Sequence, residues 1–338
     1  MNELNCEKID NIRKQFLCNV PLKNFNWNNV LQDLTFEISS SNELPKSFLK
    51  HLIENLEKQG SEIHDELYLA YGRLVALPAS IECFKHYYIQ NSGNIVSLRE
   101  NINLISDGTT GLRTWQASLA LSEWALQSEE AFKNKVILEL GSGTGLTGLA
   151  LVMECSPRCM YFTDCHSSVL SSLCDNVRLN IKDNISKNSE YGITADASDR
   201  LKRVKDRCLY SNLGNSNIFV LNLPWDDINE EECLKLGPIN KVIAADVVYD
   251  TELFEPLITA LKCLGNFCAV EEFIFSCTER NQQTLETFIK QISKLLFSFF
   301  KLPFCEASFT IEELQVPNQK HFIWPTETPV RILRFTHP

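Results

Sequence analysis

The spacing of apolar residues changes near residue 90, and this change divides the chain into two unlike parts. Before it, apolar residues recur every three or four positions, a spacing typical of helices with one packed face. The pattern predicts four helices, at 9–19, 27–34, 45–59 and 65–80. The third should pack through an apolar face formed by Phe48, Leu49, Leu52, Ile53 and Leu56. Residues 93–107 then predict two extended segments around a turn.

After Lys135, short apolar runs alternate with longer amphipathic segments. The runs predict strands at 136–140, 159–163, 217–222, 241–245, 271–277 and 329–335, with a shorter one near 305–310. The segments between them predict helices at 146–154, 167–180, 252–264 and 281–297. Strands and helices in alternation indicate an α/β fold around a doubly wound parallel sheet. The exception is 181–215, whose content of Asn, Ser, Asp, Lys and Arg predicts a long surface insertion.

Composition limits the classes of partner. The chain has 338 residues, of which 44% are hydrophobic, so it can bury the core of two domains or of one enlarged domain. Its net charge of −11 argues against a nucleic-acid surface and is compatible with a basic protein partner. No apolar run reaches membrane-spanning length, and residues 1–20 lack the apolar segment of a secretory signal. We therefore expect a cytoplasmic, monomeric protein that binds neither nucleic acid nor membranes.

The cysteines indicate a reducing compartment. There are 13 of them, with no C-x-x-C pairs and no nearby histidines at the spacing of metal ligands. We expect reduced thiols that pack mostly as small apolar side chains. The sequence predicts no metal site.

The most informative motif is the run VILELGSGTGL at 136–146, in which a buried strand leads through three glycines into a helix. Glycine lets the backbone turn sharply and approach a ligand closely, and the helix presents free N–H groups at its start. These features predict a nucleotide-binding loop. Glu139, near the end of the strand, should repel a phosphate and attract a cationic amino-acid ligand, which favours a methyl donor.

A dinucleotide site is the competing interpretation of the same loop. Gly143, Gly145 and Gly148 also form a G-x-G-x-x-G pattern, and Asp164 follows at about the separation of a ribose-binding acid. A single match of this kind has low specificity. The loop by itself leaves both ligands open.

Further polar and aromatic side chains follow the predicted strands, whose ends line the ligand crevice of an open α/β sheet. Asp164 could bind a ribose or cap the helix after it. Trp225 could flank an adenine or pack in the core. Asp246 and Tyr249 should reach the mouth of the crevice, unless they form a helix cap and a packed aromatic. Trp115 can join the site only if its segment folds back over the glycine loop.

Together these motifs resemble the seven-strand, S-adenosylmethionine-dependent lysine methyltransferases known as family 16. More specifically, they resemble its branch that methylates eukaryotic translation elongation factor 2, also called family with sequence similarity 86. The runs that carry the resemblance are GTTGL at 108–112 with Trp115, ELGSGTG at 139–145 followed by LTGLA to 150, DCHS at 164–167, WD at 225–226, IAADVVY at 243–249, and earlier FNW at 25–27 and DELY at 65–68. The insertion at 181–215 departs from the family pattern.

The resemblance implies a Rossmann-like methyltransferase domain at 93–338 and a mainly helical N-terminal extension at 1–92 that recognises the substrate. It implies S-adenosylmethionine as the cofactor and translation elongation factor 2 as the protein partner. Asp246 and Tyr249 would be the catalytic residues, since they would position the incoming lysine. No residue is identified as a general base.

The resemblance also implies which residues bind the donor. Gly141, Ser142 and Gly143 would contact its methionine part, Asp164 its ribose and Trp225 its adenine. The full set of expected cofactor-binding residues is Trp115, Glu139, Gly141, Ser142, Gly143, Asp164, Trp225 and Ala245.

Three other functions compete with this one. The protein could methylate another protein or a small amine. It could instead bind the donor as a scaffold without catalysis, although the intact motif at 246–249 disfavours that role. A nicotinamide oxidoreductase would leave Glu139 without a function.

Overall fold

A computed structural model describes residues 46–76, 82–181, 204, 207–299 and 310–336. The helices predicted at 9–19 and 27–34 lie outside these residues. Among the described helices, none combines the length and the apolar character needed to cross a membrane.

Two helices precede the sheet, α1 (Lys46–Lys58) and α2 (Asp65–Val75). They pack on each other through a small core that is separate from the two cores around the sheet. The core contains the apolar face predicted for α1, together with Leu67 of α2, and each of these side chains is at most 6% exposed. The prediction of a packed face is therefore confirmed.

A β-hairpin follows, made of β1 (Glu82–Tyr88) and β2 (Ile95–Asn101) in antiparallel register. The sequence predicted extended segments around a turn within 93–107, but β2 continues without a turn from Ile95 to Asn101 and pairs with the preceding strand β1. The sequence pattern also missed β1, within a part of the chain expected to be helical. Residues 102–105, expected to be extended, form exposed bends after β2.

The remaining strands form one eight-stranded sheet. They are β3 (Val136–Leu140), β4 (Cys159–Asp164), β5 (Arg207–Leu213), β6 (Ser216–Asn222), β7 (Lys241–Ala245), β8 (Glu272–Thr278), β9 (Thr310–Leu314) and β10 (Val330–Thr336). Their spatial order is β5-β6-β4-β3-β7-β8-β10-β9. The five central strands from β6 to β8 are parallel. The outer pairs are antiparallel: β5 with β6, β10 with β8, and β9 with β10.

Helices cover both faces of this sheet, which confirms the doubly wound α/β fold. They are α3 (Gln116–Leu126), α4 (Leu146–Glu154), α5 (Ser167–Asn180), α6 (Glu230–Leu236), α7 (Phe254–Phe267) and α8 (Gln282–Phe299). Side chains of α3, α4, α5 and the hairpin share one core, and those of α6, α7 and α8 share the other. Strand β5 lies inside 181–215, the segment predicted as a surface insertion. The predicted insertion therefore extended too far toward the C-terminus.

Gly148 brings α4 close to the sheet. A Cβ atom there would lie 2.5 Å from Cε of Met160 and closer still to the ring of Phe162, both of which are fully buried. Neither side chain has space to move away, because protein interiors are close-packed.

We therefore predict that Gly148→Ala lowers the free energy of unfolding by about 2 kcal/mol, the usual cost of overpacking a core. Gly72→Ala is the matched control, since Gly72 is also helical and a Cβ there would meet nothing within 4 Å. The control should keep or gain stability, because alanine favours the helix. Urea denaturation measures both variants, and equal midpoints for the two would contradict this account.

Candidate functional site

The glycine loop joins β3 to α4 at the carboxyl end of the sheet. Gly141, Gly143 and Gly145 have φ angles of 61°, 55° and 89°, in the left-handed region that favours glycine. Ser142 fastens the loop to the neighbouring strand: its N–H donates to Thr163 O at 2.8 Å, and the N–H of Thr163 donates to Ser142 Oγ at 3.0 Å. The loop therefore has a fixed shape.

The loop is closely surrounded as well as fixed. A Cβ atom on Gly141 would lie 3.0 Å from Val247 Cγ1 and 3.9 Å from Trp225 Cζ2. Trp225 itself is partly buried against the core, so it packs and also reaches the loop. Any side chain at Gly141 would occupy space that a ligand could otherwise use.

The segment that carries Trp115 folds back over the glycine loop. The carbonyl oxygen of Gly111 would lie 3.2 Å from a Cβ atom on Gly143. Thr114 Oγ1 lies 2.7 Å from Thr144 Oγ1, and Trp115 Nε1 donates to Thr110 O at 3.1 Å. The structure thus meets the condition under which Trp115 can belong to the site.

A buried carboxylate that the sequence pattern missed holds this covering segment. Glu100, at the end of the hairpin, is 2% exposed. It accepts hydrogen bonds from the hydroxyl of Thr114 at 2.6 Å and from Tyr87 Oη at 3.0 Å, and it pairs with Lys85 Nζ at 2.9 Å. Since Thr114 also touches Thr144, the hairpin, the covering segment and the glycine loop form one connected network.

Glu139 lies beneath the loop and is 2% exposed. Its Oε2 atom is buried and has no hydrogen-bond partner among the described residues. Burial raises the pKa of Glu139 to about 8, and the hydroxyls of Ser142 and Thr147 offset only part of that effect. A cationic ligand would supply the missing partner and favour the ionised form of the carboxyl group.

Asp164 connects the end of β4 to the same loop. Its Oδ2 accepts from the N–H of Gly143 at 3.2 Å, and its Oδ1 accepts from the N–H groups of Cys165 at 2.8 Å and His166 at 3.2 Å. Burial raises the pKa of Asp164, while these three N–H groups act in the opposite direction. The side chain therefore holds the turn before α5 and also faces the loop, but the N-cap of α5 is His166 and not Asp164. The ribose role of Asp164 stays a prediction.

Asp246 follows β7 with a φ of 55°, which is uncommon for a residue with a side chain. Its side chain is only 7% exposed. Oδ1 accepts from the N–H of Thr278 at 2.7 Å, and Oδ2 accepts from Thr278 Oγ1 and from an Arg280 N–H, both at 2.9 Å. Strained backbone of this kind persists where surrounding contacts hold it, often at functional sites.

Two neighbours of Asp246 complete this side of the crevice. Tyr249 is 55% exposed, and its pKa is raised first by partial burial and then by the charge of Asp250. Ala245, the last residue of β7, is partly buried and pairs with Ser276 of β8. Both lie where the carboxyl ends of the parallel strands meet, as expected for a crevice in this fold.

Comparison with known proteins decides between the two ligand classes. Residues 99–194 and 193–295 match the sequence profile of a family described as lysine methyltransferase, and the two matches together cover more than half of the chain. The chain belongs to the lysine methyltransferase family. The family resemblance predicted from the sequence is thereby confirmed, and the dinucleotide interpretation is set aside.

Curated relatives can be aligned with most of the length of this lysine methyltransferase. Protein-lysine N-methyltransferase EEF2KMT of Mus musculus is 35% identical over 252 residues, which are 74% of this chain and 68% of the relative. The protein of the same name from Bos taurus is 32% identical and covers 86% of this chain and 79% of the relative. Protein-lysine N-methyltransferase EFM3 of Chaetomium thermophilum is 29% identical and covers 90% and 80%.

The structure gathers the predicted residues of this lysine methyltransferase around two centres. Glu139, the glycine loop, Asp164 and Trp225 lie at the first, and Asp246 lies at the second. Trp115 connects the two centres, because its segment covers the loop and its ring stacks against Arg280, whose guanidinium carbon is 4.7 Å from the ring centroid.

Arg280 and Thr278 were not predicted from the sequence. A usable signal was present, since both follow a predicted strand whose end lies at the crevice. The roles of the ten predicted site residues stay predictions.

Proposed function

We propose that this lysine methyltransferase uses S-adenosylmethionine to methylate a lysine of translation elongation factor 2. The observation that carries the proposal is the position of Glu139 beneath a glycine loop, in a chain of this family. Its carboxyl group is buried, and its Oε2 atom has no hydrogen-bond partner among the described residues. The choice of protein substrate is supported by the relatives, since those from mouse and cattle are named EEF2KMT.

The residues around the loop fit this donor. Its amino-acid part carries an ammonium group, which would satisfy Glu139 and balance its charge. Glycine at 141 leaves open the space that a side chain would fill beside Trp225. We propose that Asp164 accepts the ribose hydroxyls, that Trp225 flanks the adenine and that Gly141, Ser142 and Gly143 hold the methionine part. Trp115 and Ala245 would close the pocket.

The chemistry requires an aligned, neutral amine. When bound, S-adenosylmethionine supplies an electrophilic methyl group, so that the amine lone pair forms the new N–C bond and the electron pair of the broken C–S bond stays on sulfur. A lysine ammonium has a pKa of about 10.4 and must first lose a proton to water. Asp246 would orient the amine by accepting one of its N–H groups, and Tyr249 would limit its movement at the mouth.

A folded protein substrate needs a docking area beyond the active site. We propose that α2 contributes to it, because Tyr68, Leu69 and Val75 expose 44%, 59% and 46% of their surface on this short helix. The acidic character of the chain would add attraction toward a basic surface. We further propose that the protein acts as a monomer in the cytoplasm, in accord with Cys155 and Cys277, which are free, buried thiols.

We predict that Leu69→Ser raises KM for the protein substrate about fivefold, equivalent to about 1 kcal/mol of docking energy. Affinity for the donor and thermal stability should not change, because Leu69 packs against neither core of the sheet. Leu234→Ser is the matched control, since Leu234 is 60% exposed on α6. An equal rise of KM in both variants would remove α2 from the docking surface.

The decisive experiment supplies labelled S-adenosylmethionine and purified elongation factor 2 to the enzyme. The expected result is label on one lysine of the factor, located by mass spectrometry. Parallel reactions contain a cell extract and a mixture of small amines. Label on another protein or on an amine would replace the proposed substrate, and donor binding without any transfer would indicate a scaffold.

A further inference from the structure

Arg280 lies between a buried carboxylate and an aromatic ring. It lies two residues beyond β8, and its guanidinium group stands between the Asp246 carboxylate, 2.9 Å away, and the face of the Trp115 ring, 4.7 Å from the centroid. The arginine side chain is 42% exposed, whereas that of Asp246 is 7% exposed. The buried carboxylate thus has a permanent cation on its solvent side.

An aromatic face next to a carboxylate is a binding site for an ammonium ion. Without Arg280, Trp115 and Asp246 would offer such a site at the crevice mouth. An opposite charge within a few ångströms raises the pKa of an amine, so the site would retain lysine in its protonated form. Protonated lysine has no lone pair and cannot accept a methyl group.

We propose that Arg280 is a positioning residue that balances the charge of Asp246, so that the site receives the lysine amine in its neutral form. The proposal rests on the proposed function, in which a lysine enters beside Asp246. A carboxylate offers about four acceptor positions. Three are used by Thr278 and Arg280, and one remains for an N–H of the amine. Arg280 therefore leaves Asp246 able to orient the amine and removes its net attraction for an ammonium ion.

Other charged and titratable groups around Asp246 and Tyr249 come from four strands and the residues that follow them: Asp164 and Cys165 at the end of β4, Tyr249 and Asp250 after β7, Cys277 and Glu279 at the end of β8, and Arg331 on β10. Glu279 is paired with Arg331 at 3.5 Å. Burial raises the pKa of the Cys277 thiol, and partial burial raises that of Tyr249, so neither gains charge near neutral pH. Glu139, beneath the glycine loop, has a pKa of about 8. Saturating donor fills the site beside it, so its titration does not contribute to the measured pH dependence.

The test compares kcat from pH 6.5 to pH 10, with donor and protein substrate both saturating, in wild type, Arg280→Gln and Arg280→Lys, because kcat reports groups that titrate in the enzyme–substrate complex. Glutamine retains an N–H donor without the charge, and lysine retains the charge. We expect the acid limb of the pH profile to move up by about one pH unit in Arg280→Gln. The rate of this variant should therefore be about tenfold lower than that of wild type at pH 7 and should approach it toward pH 10. Arg280→Lys should keep the wild-type limb.

Two kinetic outcomes would overturn the proposal. A loss of the same size at every pH would mean that Arg280 only supports the local structure. A gain at every pH would mean that it competes with the substrate. Donor affinity and melting temperature, measured on the same variants, detect a folding defect.

A binding measurement tests the same idea without catalysis. Tetramethylammonium is permanently charged and can report a vacant cation site through the fluorescence of Trp115. With S-adenosylhomocysteine bound, Arg280→Gln should bind it and wild type should not, while a second substitution, Trp115→Phe, should remove the signal. Equal binding by wild type and Arg280→Gln would refute the proposal even if the protein substrate were misassigned. Wild type could fail to methylate elongation factor 2 while Arg280→Gln still binds tetramethylammonium and wild type does not. That result would count against the proposed function and not against the role of Arg280.

Discussion

Asp246→Ala should lower kcat for lysine methylation about a hundredfold, the size of effect expected when a reacting group is misplaced by about an ångström. The carboxylate ties the end of β7 to Thr278 and Arg280 of the neighbouring strand end. Its removal leaves the N–H of Thr278 and the guanidinium group of Arg280 without their acceptor. The incoming amine then loses both its orienting oxygen and the fixed wall beside it.

Single-turnover assays with labelled donor measure this effect, and calorimetry measures donor affinity separately. Donor affinity should stay within about twofold, because the contacts of Asp246 lead toward β8 and away from the glycine loop. Asp250→Ala is the matched control, since Asp250 lies four residues later, where it caps the turn at Glu252. Unchanged methylation by Asp246→Ala would take Asp246 out of the catalytic site.

Glu139→Gln should weaken binding of S-adenosylmethionine about thirtyfold at pH 8, because a charge-assisted hydrogen bond becomes a neutral one. In wild type, affinity should also rise as the pH rises toward about 8. The reason is that the pKa of Glu139 is about 8 without a ligand, so an ammonium-bearing donor must displace a proton below that pH. Calorimetry in two buffers of different ionisation enthalpy counts the released protons.

The Glu139→Gln protein provides the control in the same experiment, since its donor affinity should be nearly independent of pH. If wild type released no proton on binding donor at pH 7, Glu139 would not be the partner of the ammonium group.

The same carboxyl group makes the stability of the donor-free protein depend on pH. Burial raises the pKa of Glu139 from 4.5 to about 8, so the folded protein keeps a proton that the unfolded chain releases. The free energy of unfolding should therefore fall as the pH rises from about 4.5 to about 8. Glu139→Gln should remove this contribution, and urea denaturation at several pH values would detect the altered slope.

The central sheet was the most predictable part of the fold. Strands buried on both faces appear as continuous apolar runs, and β3, β7 and the helix α4 have the predicted bounds. The edges were harder to predict. Among the described strands, β5 pairs with β6 alone and is largely exposed or partly buried, so its sequence lacks the apolar content of a central strand.

The candidate site divides in a similar way. Residues directly after apolar strands, such as Asp164 and Asp246, could be predicted because the end of a parallel strand has a known place in this fold. The contacts of Glu100 and Arg280 could not be predicted, although Arg280 follows a predicted strand, because these contacts depend on which segments are neighbours in space. Glu100 reaches Thr114 across 14 positions, and Arg280 reaches Asp246 across 34.

The hairpin network has a consequence for the dynamics of the donor pocket. Glu100 and Asn176 both link β2 to the glycine loop, through Thr114 and through a bond from Asn176 Nδ2 to Thr144 O at 3.0 Å. Local opening of the hairpin would loosen the pocket, and by reciprocal coupling a bound donor would suppress that opening. Amide hydrogens of the hairpin, which forms a separate two-stranded sheet, should therefore exchange more slowly when the pocket is filled.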